Sequence, residues 1–372
     1  CVGVLLHRVH PQLPLRRHRR PQRRQDQRTP ARANDHQHGR LVGGRAQQGA
    51  QHGTQQMARL IQRRDPTKPS FYYLSYCHPH PPLTPLGCYI DMYRDIEPPQ
   101  PYIGKWAQDL NALPWALRTR QSSWEDFTDH QIRSARRAFY AMCTHIDHQL
   151  RIVIGTLREE RLLDDTIILF TSDHGDMLGN HHQWAKRLFY EDSARVPMIL
   201  VGSTNDDRVG HHKVDNRLVG WQDIMPTLLD LAGVEIPESA EGISMVSEGS
   251  RPHLYGECSD GATATRMIHD GRHKLIYYPV GNHTQLFDLD EDPNELVNLS
   301  GQSSHAKIEK RLKDLMAQEL YGGDEEWIQE GKWVGLPDKE YEPQPNRGLT
   351  GQRGSHWPVP PQTGQGEVLS LT

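Results

Sequence analysis

Thr166-Ile167-Ile168-Leu169-Phe170-Thr171-Ser172-Asp173-His174-Gly175-Asp176-Met177-Leu178-Gly179 is the stretch that decides the fold. Its first six residues are apolar or β-branched without interruption, the pattern of a buried strand. A carboxylate, an imidazole and two glycines follow at once. In open α/β sheets, ligands occupy the crevice beyond the carboxyl ends of the strands. The turn breaks the strand's alternation, so Asp173 and His174 can both reach one cation, and Gly175 and Gly179 permit the tight backbone. An Asp capping the turn beside an unrelated His is the plainer reading of such a triplet in isolation. The rest of the chain has to decide.

Working outward, Ser70–Tyr76 and Val196–Val201 read as two further buried strands. Between them lies the strongest helical pattern, from Asp129 to about Glu160. There Ile132, Ala135, Phe139, Met142, Ile146, Leu150, Val153 and Leu157 form one apolar stripe. Gln222–Leu231 is a short apolar helix stopped by Gly233. Strands alternating with helices predict an α/β domain around a largely parallel sheet. After about residue 250, strands at His273–Tyr278 and Gln285–Leu289 precede a helix at Ala306–Leu320, a small α+β subdomain. The expected boundaries are 1–55, 56–245, 246–321 and 322–372, the last an extended Gly-, Pro- and Gln-rich tail.

Asp173-His174-Gly175 also has a specific sequel. It runs through Asn180-His181-His182 to Lys186, then Phe189-Tyr190-Glu191 and Arg195-Val196-Pro197. This resembles the sulfatases of the alkaline-phosphatase superfamily, where a strand ends in S-D-[HN]-G and a lysine follows about a dozen residues later, before F-[YF]-E. Three more segments match in the same order: Phe71–Tyr76 with His78-Pro79-His80-Pro81-Pro82; Asp223-Ile224-Met225-Pro226-Thr227-Leu228-Leu229; and Leu286-Phe287-Asp288-Leu289 with Asp292-Pro293-Asn294-Glu295 and Asn298-Leu299. The resemblance spans about residues 56–320. It implies an alkaline-phosphatase-like fold and a sulfuric ester hydrolase. In that reading Asp173 and His174 are metal ligands, with Ca²⁺ first and Mn²⁺ or Mg²⁺ admissible. Lys186 binds a sulfate oxygen, and His80 bonds near the bridging oxygen and helps protonate the leaving group. Phosphonate or phosphate ester hydrolysis on the same scaffold is the alternative. Substrates would be small-molecule or carbohydrate sulfate esters. Arg266 is a candidate substrate contact, with a surface ion pair as the default. His181 and His182 are read as a solvated loop before a pocket mouth, and His145 and His148 as structural.

The resemblance also implies a formylglycine nucleophile, made from the Cys of a C-x-P-x-R motif. None of the five cysteines (Cys1, Cys77, Cys88, Cys143, Cys258) continues in that way. The family's N-terminal Asp-Asp metal pair and G-K-W-H-x-G segment have no counterpart either. As written, the chain is expected to hold about half the metal shell and to be inactive.

Residues 1–64 differ from everything after them. They hold fourteen of the 43 Lys and Arg, all of them Arg, no aromatic residue, and only Asp26 and Asp35 among the 47 carboxylates. The remaining 308 residues are therefore acidic. A reading-frame or gene error over residues 1–55 is the preferred account. A divergent domain start, or a disordered basic arm on a non-catalytic pseudoenzyme, stays open beside it. Nucleic acid is not the expected partner. No run of about 18 apolar residues predicts a membrane span, and no signal peptide is visible. Scattered cysteines without C-x-x-C read as reduced thiols, which slightly favours the cytoplasm. Oligomeric state is left open.

Overall fold

The computed structural model describes residues 2–8, 42–121 and 127–340. Strand β1 (Val2–Arg8) and helix α1 (Val42–Gln62) precede β2 (Phe71–Tyr76), and the short helices α2 (Gly87–Asp91) and α3 (Trp115–Gln121) follow. The long helix α4 (Asp129–Glu159) starts at a capping box: Thr128 Oγ1 accepts from Gln131 N, and the Thr128 N–H donates to Gln131 Oε1 at 2.8 Å. Then come β3 (Thr166–Ser172), α5 (Glu191–Ala194), β4 (Met198–Val201) and α6 (Ile224–Leu231). The C-terminal part has β5 (Leu254–Cys258), β6 (Thr265–His269), β7 (His273–Tyr278), β8 (His283–Asp288), α7 (Ala306–Glu319), β9 (Ile328–Gln329) and β10 (Lys332–Trp333).

The first sheet has the order β2-β1-β3-β4. The α/β class holds, but every neighbouring pair in this sheet is antiparallel, where a largely parallel sheet was expected. Two of the three pairs follow from β1, which inserts between β2 and β3 and runs against both; in the third, the edge strand β4 runs against β3. The insertion of β1 leaves β2 and β3 pointing the same way, and Val2 lies opposite both Tyr76 and Ser172. Their carboxyl ends are thus about 10 Å apart on one sheet edge, two strand spacings. One face of the sheet packs on α1 and α4 through Leu74, Tyr76, Ile146, Val153 and Leu157. The other packs on α6 through Ile167, Leu169, Leu228 and Leu231.

Two boundaries move. Helix α1 runs through residue 55, because Ala50, Thr54, Met57 and Ile61 make one buried stripe against α4. Arg and Gln around that stripe are good helix formers, so composition alone concealed it. Residues 9–41, the centre of the supposed frame error, lie outside the described residues. The tail likewise begins later than 322: Trp327 is buried against Tyr277, and β9 pairs with β10. Residues 341–372 are not described.

The second sheet, β5-β6-β7-β8, is an antiparallel meander. One face holds α7 through Leu275, Tyr277, Leu286, Leu312 and Met316. The other brings Ile276, Tyr278 and Phe287 against Leu188 and Tyr190 of the segment that follows β3. That contact carries the small subdomain to the site.

Candidate active site

The loops leaving β2 and β3 start side by side, and their polar groups converge. In the first, the His80 Nδ1–H donates to the Pro81 carbonyl at 2.7 Å. This fixes the tautomer and leaves the Nε2 lone pair outward. Lys186 Nζ donates to that lone pair at 2.6 Å, from a residue 106 positions away. Burial lowers the basicity of both groups, and the facing ammonium lowers His80 further. The carboxylates of Asp176 and Asp173 draw Lys186 partly back.

In the second loop, the His174 Nδ1–H donates to the Gly175 carbonyl at 2.8 Å. Its Nε2 then faces Asp173 Oδ2 at 3.5 Å. Two lone-pair-bearing atoms at that distance attract each other only through a shared cation or proton. The His80 and His174 rings are 6.4 Å apart, centre to centre. Beside both lies a cavity of about 280 Å³ whose wall includes Phe139, Ile146, Leu150 and Phe170. Asp173, His174, Lys186 and His80 therefore come together beyond the carboxyl ends of β2 and β3.

The segment that carries Lys186 is bent against local preference. Leu178, His181, His182, Ala185 and Arg187 all have left-handed backbones, with φ between 45° and 76°. Each costs an L-residue about 1–2 kcal/mol. Contacts beyond each single turn must hold it. The Asp176 carboxylate accepts from the N–H groups of Leu178 (3.0 Å) and Ala185 (3.1 Å), and the Gly175 N–H donates to Ser193 O at 2.9 Å. Only glycine fits at 175, since a Cβ there would lie 1.9 Å from the Asp192 carbonyl.

His181 corrects the sequence reading. It is fully buried, its ring set among Tyr102, Trp106 and Tyr190, and its Nδ1 accepts from the Gly104 N–H at 3.0 Å. Burial pushes its pKa down to about 4. It is a core residue rather than part of a solvated loop, whereas His182 is exposed. Arg266 is also structural: its side chain is 3% exposed, pairs with Asp324 and lies 5.2 Å over the Trp327 ring. That pairing ties residues 322–327 to β6. The sequence reading missed Lys274, a fully buried ammonium between Glu191 and Glu295. A charge directly before the apolar run Leu275–Tyr278, inside the same expected strand, was the available signal.

For a metal, the donor set fits in part. Asp173 Oδ2 and His174 Nε2 are suited to one hard or borderline divalent ion. Among the described residues, no group of three or more His, Cys, Asp or Glu is arranged to hold one.

The Sulfatase family model matches residues 23–234, more than half of the chain. The chain belongs to the sulfatase family. The model for the N-sulphoglucosamine sulphohydrolase C-terminal region matches residues 179–321 of the chain. The chain is 35% identical over 281 residues to an arylsulfatase of Clostridium perfringens, covering 72% of this chain and 56% of that protein. It is 35% identical over 239 residues to a choline-sulfatase of Rhizobium meliloti, covering 61% and 45%. Among solved structures, the phosphonate monoester hydrolase of Agrobacterium radiobacter aligns with a TM-score of 0.63 at 25% identity, over 72% of this chain and 60% of that one. A putative sulfatase of Bacteroides thetaiotaomicron shares the fold, with a TM-score of 0.59 at 22% identity over 72% and 62%. The chain spans about half the length of the curated relatives it matches.

Proposed function

We propose that this chain carries the sulfate-binding and leaving-group half of a metal-dependent sulfate-ester hydrolase site. The observation that supports it best is the Lys186 Nζ–His80 Nε2 contact of 2.6 Å beside the Asp173–His174 pair. A sulfate monoester repels nucleophiles, so its peripheral oxygens need fixed positive charge as the S–O bond breaks. Lys186 supplies one such charge, with donors left over beyond the one it gives His80. His80, whose ring Pro81 orients, would hydrogen-bond near the bridging oxygen and, when protonated, help protonate the leaving group, while Lys186 keeps its charge for the sulfate. Asp173 and His174 would hold a divalent cation, Ca²⁺ or else Mn²⁺ or Mg²⁺, which when bound neutralises further sulfate charge. The Cys-x-Pro-x-Arg source of a formylglycine is not in these 372 residues, so no nucleophilic step is assigned to them.

The likeness to a phosphonate monoester hydrolase favours one second reading, phosphonate or phosphate ester chemistry at the same groups. Both follow from one test. Inorganic sulfate and phosphate are titrated into the chain in Ca²⁺, calorimetrically, against Lys186→Ala. Saturable sulfate binding weakened at least tenfold by the substitution supports the first reading, and a preference for phosphate supports the second. Equal binding by wild type and variant refutes both. No aryl sulfate turnover above a His80→Ala control is expected, even with a formylglycine-generating enzyme present.

A further inference from the structure

Lys274, the second residue of β7, is 1% exposed, and its Nζ lies 2.7 Å from Glu191 Oε1 and 2.8 Å from Glu295 Oε1. The Glu191 backbone N–H closes the triangle by donating to Glu295 Oε2 at 2.7 Å. Glu295 is 2% exposed, has a left-handed backbone, and accepts the Trp106 indole N–H through its carbonyl at 2.7 Å. Burial raises the pKa of Glu295. Burial alone would raise Glu191 as well, but the Lys274 ammonium outweighs it and Glu191 falls. Apolar side chains of the same volume would fill this space without the cost of desolvating three charges. What apolar packing cannot supply is a fixed direction for each partner.

We infer that Lys274, Glu191 and Glu295 form a latch by which the C-terminal sheet holds the Lys186 segment in its sulfate-binding shape. The inference rests on the reading of Lys186 as the sulfate ligand. Glu191 stands five residues after Lys186, and the residues on either side of Lys186, Ala185 and Arg187, are both left-handed. Such a segment keeps its shape only when both ends are tied. One end is tied by the Asp176 carboxylate to the Ala185 N–H. The other reaches Glu191, whose side chain meets an ammonium projecting from a strand paired on both edges. Leu188 and Tyr190 fill the space between against Ile276, Tyr278 and Phe287. The three acids and bases are thus positioning residues: they touch no substrate and act through the backbone that carries Lys186. They also give the Phe189-Tyr190-Glu191 and Asp292-Pro293-Asn294-Glu295 motifs one shared physical role.

Two measurements on the full chain test the latch: trypsin cleavage after Lys186 or Arg187, and calorimetric affinity for inorganic sulfate in Ca²⁺. They compare wild type, Lys274→Met, and the neutral triple variant Lys274→Met, Glu191→Gln, Glu295→Gln. Lys274→Met should be cut there at least tenfold faster and bind sulfate at least tenfold more weakly. The triple variant leaves no unpaired buried charge, so its thermal midpoint should recover toward wild type while cleavage stays fast and affinity weak. If Lys274→Met does not fold, the triple variant decides. A folded variant that is cut at the wild-type rate and binds sulfate within twofold of wild type overturns the latch, leaving only packing. A wild type that binds no sulfate overturns the reading of Lys186 instead, and the proteolysis still decides the latch.

Discussion

The segment from Asp173 to Glu191 and the sheet of β5–β8 pack against each other but are stabilised in opposite ways. The sheet is a regular antiparallel meander, and Lys274–Tyr278 of β7 are all buried. The segment has five left-handed L-residues and carries Lys186, Asp173 and His174 only partly covered. Groups proposed to meet a solvated anion cannot also be packed on all sides. The segment therefore takes its order from its neighbours, and the sheet is the chief of these.

The largest effect should come from damaging the sheet's side of that contact. Phe287 is 0% exposed, and its ring lies about equally far from those of Trp106 and Tyr190, 6.2 and 6.1 Å. Phe287→Ala should cost about 3–5 kcal/mol, from lost transfer energy and the cavity left behind. Urea unfolding checks this through the shift in midpoint. A loss below about 1 kcal/mol would mean that the sheet is not the stable partner, and the contrast would fall.

The next effect, at about half that size, should come from pH, through two buried histidines that both lie outside the sheet. His78, between β2 and the site, is 0% exposed with neither ring nitrogen bonded; burial, and then the neighbouring His145, push its pKa down to about 4. Its unfolded value is about 6.5. Above pH 6.5 it is neutral in both states and costs nothing. As pH falls from 6.5 toward 4, the unfolded chain takes up the proton first and stability is lost, about 2 kcal/mol by pH 5. His181, also near 4, adds a similar loss. His78→Phe should remove one share of the decline between pH 7 and pH 5 in urea unfolding. An unchanged slope would show that His78 is not buried neutral.

What the sequence made legible divides along the same line. That His80, Lys186, Asp173 and His174 would come together was legible through the family resemblance and the expectation of two strands ending on one edge, and the two strand ends do meet there. Strand direction was not readable. It depends on β1, which pairs with partners about 70 and 170 residues away, and on β4 turning back against β3, and no local periodicity reports either. The stripe Ala50, Thr54, Met57, Ile61 was hidden because its first half lay in Arg- and Gln-rich text. His181 was misjudged because a histidine beside Asn180 and His182 looks solvated until Trp106 and Tyr190 close over it. Lys274 was missed because burial of its charge depends on Glu191 and Glu295, 83 and 21 positions away.

The smallest effect should also be the sharpest, because it changes sign between the two regions. Ala185 sits at φ 59°, where its Cβ crowds the following carbonyl, while its N–H is held by Asp176 and its carbonyl by the Met177 N–H at 2.9 Å. Glycine adopts that conformation freely, although it gives the unfolded chain more freedom to lose. Strain relief of about 1–2 kcal/mol against an entropic cost of about 0.4–1 kcal/mol leaves Ala185→Gly more stable by about 0.5–1 kcal/mol. In α7, which packs on the sheet, Ala317 is in regular helix, and Ala317→Gly should cost about 1 kcal/mol. In a chain of this size the two midpoints should move in opposite directions by about 1–4 °C, measured by calorimetry. A destabilising Ala185→Gly would mean that the segment is at ease in its bent form, and that it would need no external tie to keep Lys186 against His80.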